Sequence, residues 1–367
     1  MKIDCIKEKI ELAIRIASRL VEKNPSLPIL SCFLVDSKRN SLIIKATNLD
    51  LGVEVEVPVK GELPRSLAVP GSVLFNLISN LGNERLVSMD LTDNSVLKIS
   101  SGSVEASIKT LPTEDFPVIP KISSDTSFTL PASVLVRGVK SVFYSAASNS
   151  IKPELSSVYL CHKDGFLVFV ATDSFRLAEK KIKVKLTNNF PPVMIPIKNI
   201  SEIIKILETT TDDVEVVVGK NQISFSTGFI YVVSRLVEGN FPDYEQIIPK
   251  NFSTSATILK QDFFQAVKAI TVFTDSFNQI NINILPNKKI FEVKAKNNSL
   301  GDAFNKINTQ ASGEGIDVGF NYRYLLDCLP AVESDSLFFG FSGQHKPLVI
   351  RAAADQGFTY LVMPLNK

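Results

Sequence analysis

The side chains able to do covalent or metal chemistry are few and scattered. The histidines are His162 and His345, too sparse for a His-rich metal site. Cys161 and His162 are neighbours, but successive residues of a strand point to opposite faces, so they would not chelate one ion together. The cysteines Cys5, Cys32, Cys161 and Cys328 form no Cys-x-x-Cys pair and have no partner at zinc-finger spacing. They read as reduced, mostly buried thiols. Gly340-Phe341-Ser342-Gly343 lacks the spacing of a nucleophile elbow. No Gly-rich phosphate loop ending in Lys-Ser/Thr occurs, and Gly313 to Gly319 carries its third glycine one residue late for a dinucleotide loop. Asp212-Asp213, just ahead of a strand at Val214, reads as a turn rather than a catalytic dyad. No set of base, nucleophile and oxyanion donor can be assembled. The residues argue against an enzyme and call for no metal or cofactor.

The elements that would position a site are easier to read. The chain has 367 residues, 45% of them hydrophobic and 21% charged, the range of a globular protein of two to four domains. Its net charge is +2. That balance excludes a polybasic or histone-like protein, but not a nucleic-acid partner, because charge can be segregated onto one surface. Met1-Lys2-Ile3-Asp4 opens without an apolar run, which predicts no signal peptide and a cytoplasmic location. The longest uncharged run, Ser66 to Asn83, is interrupted by Pro70, Gly71 and polar residues, so no membrane span is expected.

Three signals recur at one period. Ala46-Thr47-Asn48-Leu49-Asp50-Leu51 returns as Ala171-Thr172-Asp173-Ser174-Phe175-Arg176-Leu177, and more weakly as Ala295 to Leu300. Pro70, Pro196 and Asn321 each stand between a strand end and a short helix. Leu111 to Phe116-Pro117 and Leu236 to Phe241-Pro242 close the first two units, and Met363-Pro364-Leu365, followed by Asn366-Lys367, closes the third. This period is far too long for a solenoid repeat, so each unit is domain-sized. In each, an amphipathic helix comes first, with Ile6, Ile10, Ala13, Ile14, Ala17 and Val21 on one face in the first unit. Helices are predicted over 6–23, 71–81, 131–147, 197–207, 260–275 and 321–333. Together they lean slightly basic, which solvated helix faces would explain equally well. Strands fill the rest: Val53 to Val57 alternates with period two, and Asp164-Gly165 and Gly219-Lys220-Asn221 mark turns between apolar runs. The expected class is α+β, with three similar domains at 1–122, 123–249 and 250–367, each a pair of helices backed by antiparallel sheets.

The order and spacing of Lys23 to Leu30, Ala171 to Leu177, Phe241-Pro242-Asp243-Tyr244 and Val362-Met363-Pro364-Leu365 resemble the bacterial sliding clamp, the β subunit of DNA polymerase III. The resemblance covers the whole chain. It implies the DNA-clamp fold, a head-to-tail homodimer closed into a ring of six domains, and a processivity factor that encircles double-stranded DNA without reading its sequence. It also implies a pocket into which the polymerase III α subunit, the clamp loader and other clamp-motif proteins insert a short apolar peptide. A non-catalytic interaction scaffold that does not encircle DNA is the alternative.

Carried over position by position, the resemblance implies a peptide pocket of Leu155, Thr172, Ser174, Phe175, Arg176, Leu177, Pro242, Gln246, Ile247, Val362, Met363, Pro364 and Leu365. Many members have Gly-His where this chain has Ser174-Phe175, and Arg where it has Gln246, which implies an altered peptide preference. DNA contact is implied at Lys23, Asn24, Asn149, Lys152 and Lys198. Position 24 is usually Arg, which moves the expectation to Lys23. The dimer seam is implied between Val73, Leu77, Glu105, Ala106 and Ile108 of the first unit and Thr271, Val272, Phe304 and Lys306 of the third. There Glu105 and Lys306 would reverse the usual charge polarity.

Overall fold

The structure is a computed structural model that describes residues 2–21, 26–82, 84–92, 95–123, 126–149, 151–186, 190–353 and 357–365. Six α-helices form among them: α1 (Lys7–Ala17), α2 (Gly71–Ser79), α3 (Ala132–Lys140), α4 (Ile197–Leu207), α5 (Lys260–Ile270) and α6 (Tyr322–Asp327). All six are shorter than, or equal to, their expected spans, and the ends of α1, α3 and α5 share a feature. Ser18 donates to the Arg15 carbonyl at 2.9 Å, Ser141 to Arg137 at 2.8 Å and Thr271 to Lys268 at 2.9 Å. Each hydroxyl satisfies a last-turn carbonyl, so the chain leaves the helix with less loss. Short 3-10 turns then follow α3 at Phe143–Ser145 and α5 at Thr271–Phe273. Pro330 bars α6 from reaching 333 as a helix, and Leu329–Ala331 forms a 3-10 turn instead.

α1 buries Ile10, Ala13, Ile14, Ile16 and Ala17. Four of the six expected positions are there, with Ile16 in addition; Ile6 belongs to the strand Lys2–Ile6 and Val21 lies beyond the helix, both half-buried. The alternation at Val53 to Val57 becomes Leu51–Lys60, with its odd-numbered valines buried and Glu56 outside. The hairpin at Asp164-Gly165 forms, with Asp164 at φ 53° and Gly165 at φ 78°. Asp212 bends the chain ahead of the strand Asp213–Val218, but Asp213, expected in the turn, is already the strand's first residue.

Two compact units emerge, and they do not follow the three sequence repeats. One comprises Met1–Ser133, Leu186–Phe190 and Ser201–Leu236; the other comprises Val134–Lys185, Pro191–Ile200 and Val237–Lys367. The sheets explain the partition. In the first unit, Leu51–Lys60 pairs antiparallel with Ile230–Arg235, so a 12-stranded sheet joins the first repeat to half of the second. In the other unit, Arg176–Lys183 pairs antiparallel with Phe358–Val362 in a 9-stranded sheet, beside a separate 4-stranded one. Continuing a ladder satisfies edge amides that each repeat alone would leave open.

The repeat is visible as a turn built three times. Thr47 accepts from the Leu49 amide, and Asn48 Oδ1 accepts from Asp50 and Leu51. Thr172 accepts from Ser174, and Asp173 Oδ1 accepts from Phe175 and Arg176. Asn297 Oδ1 accepts from Ser299 and Leu300. Leu49 and Ser174 share a left-handed backbone, at φ 75° and 76°.

Candidate functional site

The residues expected to form a peptide pocket fall within the second unit, and backbone pairing assembles most of them. Arg176 lies opposite Val362 and Leu177 opposite Leu361. The Met363 amide donates to the Phe175 carbonyl at 2.8 Å, and Leu365 to Gly319 at 2.9 Å. Leu177 and Leu361 share a buried cluster with Val168, Val170, Tyr244 and Val349, against which Phe241 and Ile248 pack. Tyr244 thereby carries the segment of Pro242, Gln246 and Ile247 onto the floor made by Leu177. Leu177 is itself only 1% exposed, so the apolar surface on offer is that of Phe175, 61% exposed, Ile247, 53%, and Met363, 41%. Pro242 and Gln246 are exposed, and Pro364 and Leu365 half-buried.

The thirteen positions divide by what they can do. Val362 is fully enclosed, so it supports the site without offering surface to a partner. Thr172 is equally structural: its hydroxyl donates to the Arg176 carbonyl at 2.7 Å and closes the turn. Leu155 is buried and its carbonyl takes the Ala147 amide at 2.9 Å. Arg176 is an anchor rather than a recognition group. Its Nε pairs with Asp173 at 3.0 Å, its Nη1 with Asp327 at 2.5 Å, and its guanidinium lies 4.4 Å from the Tyr324 ring centre. Of these partners, Asp173 was within reach of the sequence, being part of the repeated motif. Asp327 and Tyr324 are remote in sequence and carried no signal.

Two carboxylates on the same side were also missed. Glu179 is buried and accepts from the Tyr244 hydroxyl at 2.9 Å. Burial first, and then the Glu179 charge, raise the Tyr244 pKa far above that of free tyrosine. Glu245 accepts from Lys163 at 2.6 Å, which lowers its pKa and raises that of the lysine.

Three of the expected DNA-contact residues come together. Ser156 bonds the Asn149 carbonyl through its hydroxyl and the Lys152 carbonyl through its amide, and its own carbonyl takes the Ile197 amide at the start of α4. Asn149, Lys152 and Lys198 are all exposed. Lys23 and Asn24 lie outside the described residues.

The seam positions fall on open features of each unit, and two of them, Ile108 and Lys306, are engaged within their own unit. Glu105, Ala106 and Ile108 lie on Val104–Lys109, an edge strand of the 12-stranded sheet, and Phe304 and Lys306 lie on Gly301–Asn308, an edge strand of the 4-stranded one. Val73, Val272 and Phe304 are exposed, Leu77 and Thr271 half-buried. Ile108 points into its own core, so its backbone alone is available to a partner. Lys306 is not a free cation: it sits 3.7 Å from Glu292 and over the Phe304 ring.

All four cysteines are free and buried. Among the described residues no cluster of three or more His, Cys, Asp or Glu could hold a metal, and no helix is long and apolar enough to cross a membrane.

Three family models match in succession: the N-terminal domain of the DNA polymerase III beta subunit over 1–120, its central domain over 129–243 and its C-terminal domain over 245–366. A beta sliding clamp of Staphylococcus epidermidis is 26% identical over 357 residues, covering 95% of this chain and 94% of that protein. The beta subunit of Thermotoga maritima superposes with a TM-score of 0.94 at 26% identity, covering 100% of this chain and 99% of that one. A sliding clamp of Pseudomonas aeruginosa, solved bound to griselimycin, superposes at 0.95 with 24% identity over 100% of both chains.

Proposed function

The chain belongs to the DNA polymerase III beta subunit family, and on that premise we propose that it acts as a sliding clamp. Two copies, joined head to tail, encircle duplex DNA and tether replication and repair proteins to it. The observation that carries the reading is the match of all three family domains, in order, from residue 1 to 366. The domains are taken at 1–122, 123–249 and 250–367. The chain has no catalytic role of its own; its work is topological. Lys152 and Lys198, with Asn149, touch phosphates loosely, since a near-neutral protein that gripped its DNA could not slide. The open edges at Val104–Lys109 and Gly301–Asn308 supply the seam, because an unpaired strand edge is satisfied by another strand.

Partners dock against Phe175, Ile247 and Met363, the exposed apolar side chains beside the buried Leu177 cluster. Phe175, Ile247 and Met363 are each about half exposed, and covering all three yields roughly 3–5 kcal/mol. A micromolar complex needs about 8 kcal/mol. Backbone hydrogen bonds to an extended peptide and nearby charged groups must supply the rest.

The test is retention on DNA. Assembled by a clamp loader on a nicked circular plasmid, the protein co-elutes with the DNA and is released when the circle is cut. Equal retention on circle and linear DNA would overturn encirclement. Negative-stain images showing crescents without a central hole would overturn the closed dimer.

A further inference from the structure

The strand that supplies Leu177 continues past the peptide floor into a polar cavity. Side chains two and four residues on, Glu179 and Lys181, share the Leu177 face, at about 7 and 13 Å along the strand. With Lys163, Tyr244, Lys250 and Arg351 they line a cavity of about 1060 Å³. Its carboxylates are largely answered from within. Glu179 takes Tyr244 at 2.9 Å and Lys181 at 3.0 Å; Glu245 takes Lys163 at 2.6 Å; Asp243 accepts from the Gln246 amide. Asp164, in the hairpin turn, acts on Lys163 as well. The lining's four acids, Asp164, Glu179, Asp243 and Glu245, balance its four bases in number, but two of the bases, Lys250 and Arg351, make no ion pair with them. Among the described residues, no carboxylate lies within 4.0 Å of Lys250 or Arg351. The Arg351 Nε is also shielded from solvent without an acceptor. A partly buried guanidinium lacking a counter-charge has lost hydration that an incoming carboxylate would replace with forked hydrogen bonds.

We propose that this cavity receives the carboxylate of an acidic residue flanking the docked apolar peptide, held by Arg351 and Lys250. The proposal rests on the Leu177 floor being the peptide site. An extended peptide rises by about 3.3 Å per residue, so the acidic residue stands two to four positions from the apolar anchors. Specificity then has two components: an apolar anchor that gives most of the affinity, and a charge that selects among partners.

The experiment uses two fluorescein-labelled peptides sharing a Leu-Leu-Phe core, one flanked on both sides by three glutamates and the other by three glutamines. Binding to the full chain is followed by fluorescence anisotropy. At about 50 mM salt the glutamate peptide binds roughly fivefold tighter or better. Arg351→Gln removes that advantage and leaves the glutamine peptide unaffected, and about 0.5 M salt shrinks the advantage. Equal affinity of the two peptides for the parent protein overturns the proposal while leaving apolar docking intact. Absence of saturable binding by either peptide overturns both. If Arg351→Gln does not fold, as judged by its melting curve, Lys250→Gln at an exposed position takes its place, with part of the advantage lost and an undiminished advantage overturning the proposal.

Discussion

Replacing Arg176 by alanine removes one head group whose three contacts tie its turn to α6. Its contact with Asp173 at 3.0 Å joins two side chains only 12% and 14% exposed, so a charge-assisted bond there is worth about 2 kcal/mol. The Asp327 partner is 43% exposed, and solvent screening reduces that pair to about 1 kcal/mol or less. Stacking on Tyr324 at 4.4 Å adds about 1 kcal/mol. These share one guanidinium and do not simply add. The expected loss is about 3 kcal/mol, read in urea unfolding followed by circular dichroism. Arg176→Lys keeps the charge without the fork or the flat stacking face, and falls about midway. A double-mutant cycle with Asp327→Asn gives a coupling near 1 kcal/mol. The turn that presents Phe175 loosens with the loss, so peptide affinity falls as well. An alanine variant within about 0.5 kcal/mol of the parent would refute the reasoning, since partly buried Asp173 would then tolerate losing its cation.

Phe175→Ala costs less than about 0.5 kcal/mol of stability, because the ring is mostly exposed, yet weakens an apolar peptide about tenfold in an anisotropy titration. Gly138→Ala would set a Cβ 2.2 Å from the ring of fully buried Phe169; the helix or ring must shift, at about 1–3 kcal/mol or more, measured as a lowered urea midpoint. A thiol reagent at neutral pH labels the four buried cysteines only after unfolding. Burial, and then the charge of Asp4, push Cys5 from 9.0 up to about 12. The folded state therefore favours the protonated thiol: this contribution is complete below pH 9.0 and is lost as pH rises towards about 12. Cys5→Ser should flatten that part of the pH–stability curve, and an unchanged slope would count against it.

What was legible depended on how far a residue's partner lies along the chain. The helix faces, the hairpin at Asp164-Gly165 and the turn at Asp212 follow from local periodicity and backbone freedom, and they form. At α1, α3 and α5 the helix stops short of its apolar pattern where Ser18, Ser141 or Thr271, just past its end, bonds a carbonyl three or four residues back, a competition that apolar spacing does not register. The two-unit partition was invisible because it depends on Leu51–Lys60 meeting Ile230–Arg235. Likewise Val362, Thr172 and Arg176, expected at the pocket, are buried or bonded within the chain, while Phe175, Ile247 and Met363 stay exposed, a difference that spacing alone does not carry.

The three repeated turns show where a shared scaffold acquires its difference. In the first, the residue whose side-chain oxygen takes two amides is Asn48, and the second of those amides belongs to Leu51, which is buried. In the third these are Asn297 and Leu300. In the second they are Asp173 and Arg176. The amide oxygen of asparagine and the carboxylate of aspartate accept the same backbone bonds, so the turn survives the exchange. The carboxylate, however, leaves a second oxygen with a full charge, and Arg176 occupies it at 3.0 Å. The arginine then reaches Asp327 and Tyr324, fastening this turn to α6, which neither leucine could do. An Asn-to-Asp and a Leu-to-Arg difference make physical sense together and little sense singly: Asp173 alone would leave a partly buried charge, and Arg176 alone would lose one of its two acids. The pair fixes one copy of a repeated turn rigidly enough to hold Phe175 out over the Leu177 floor.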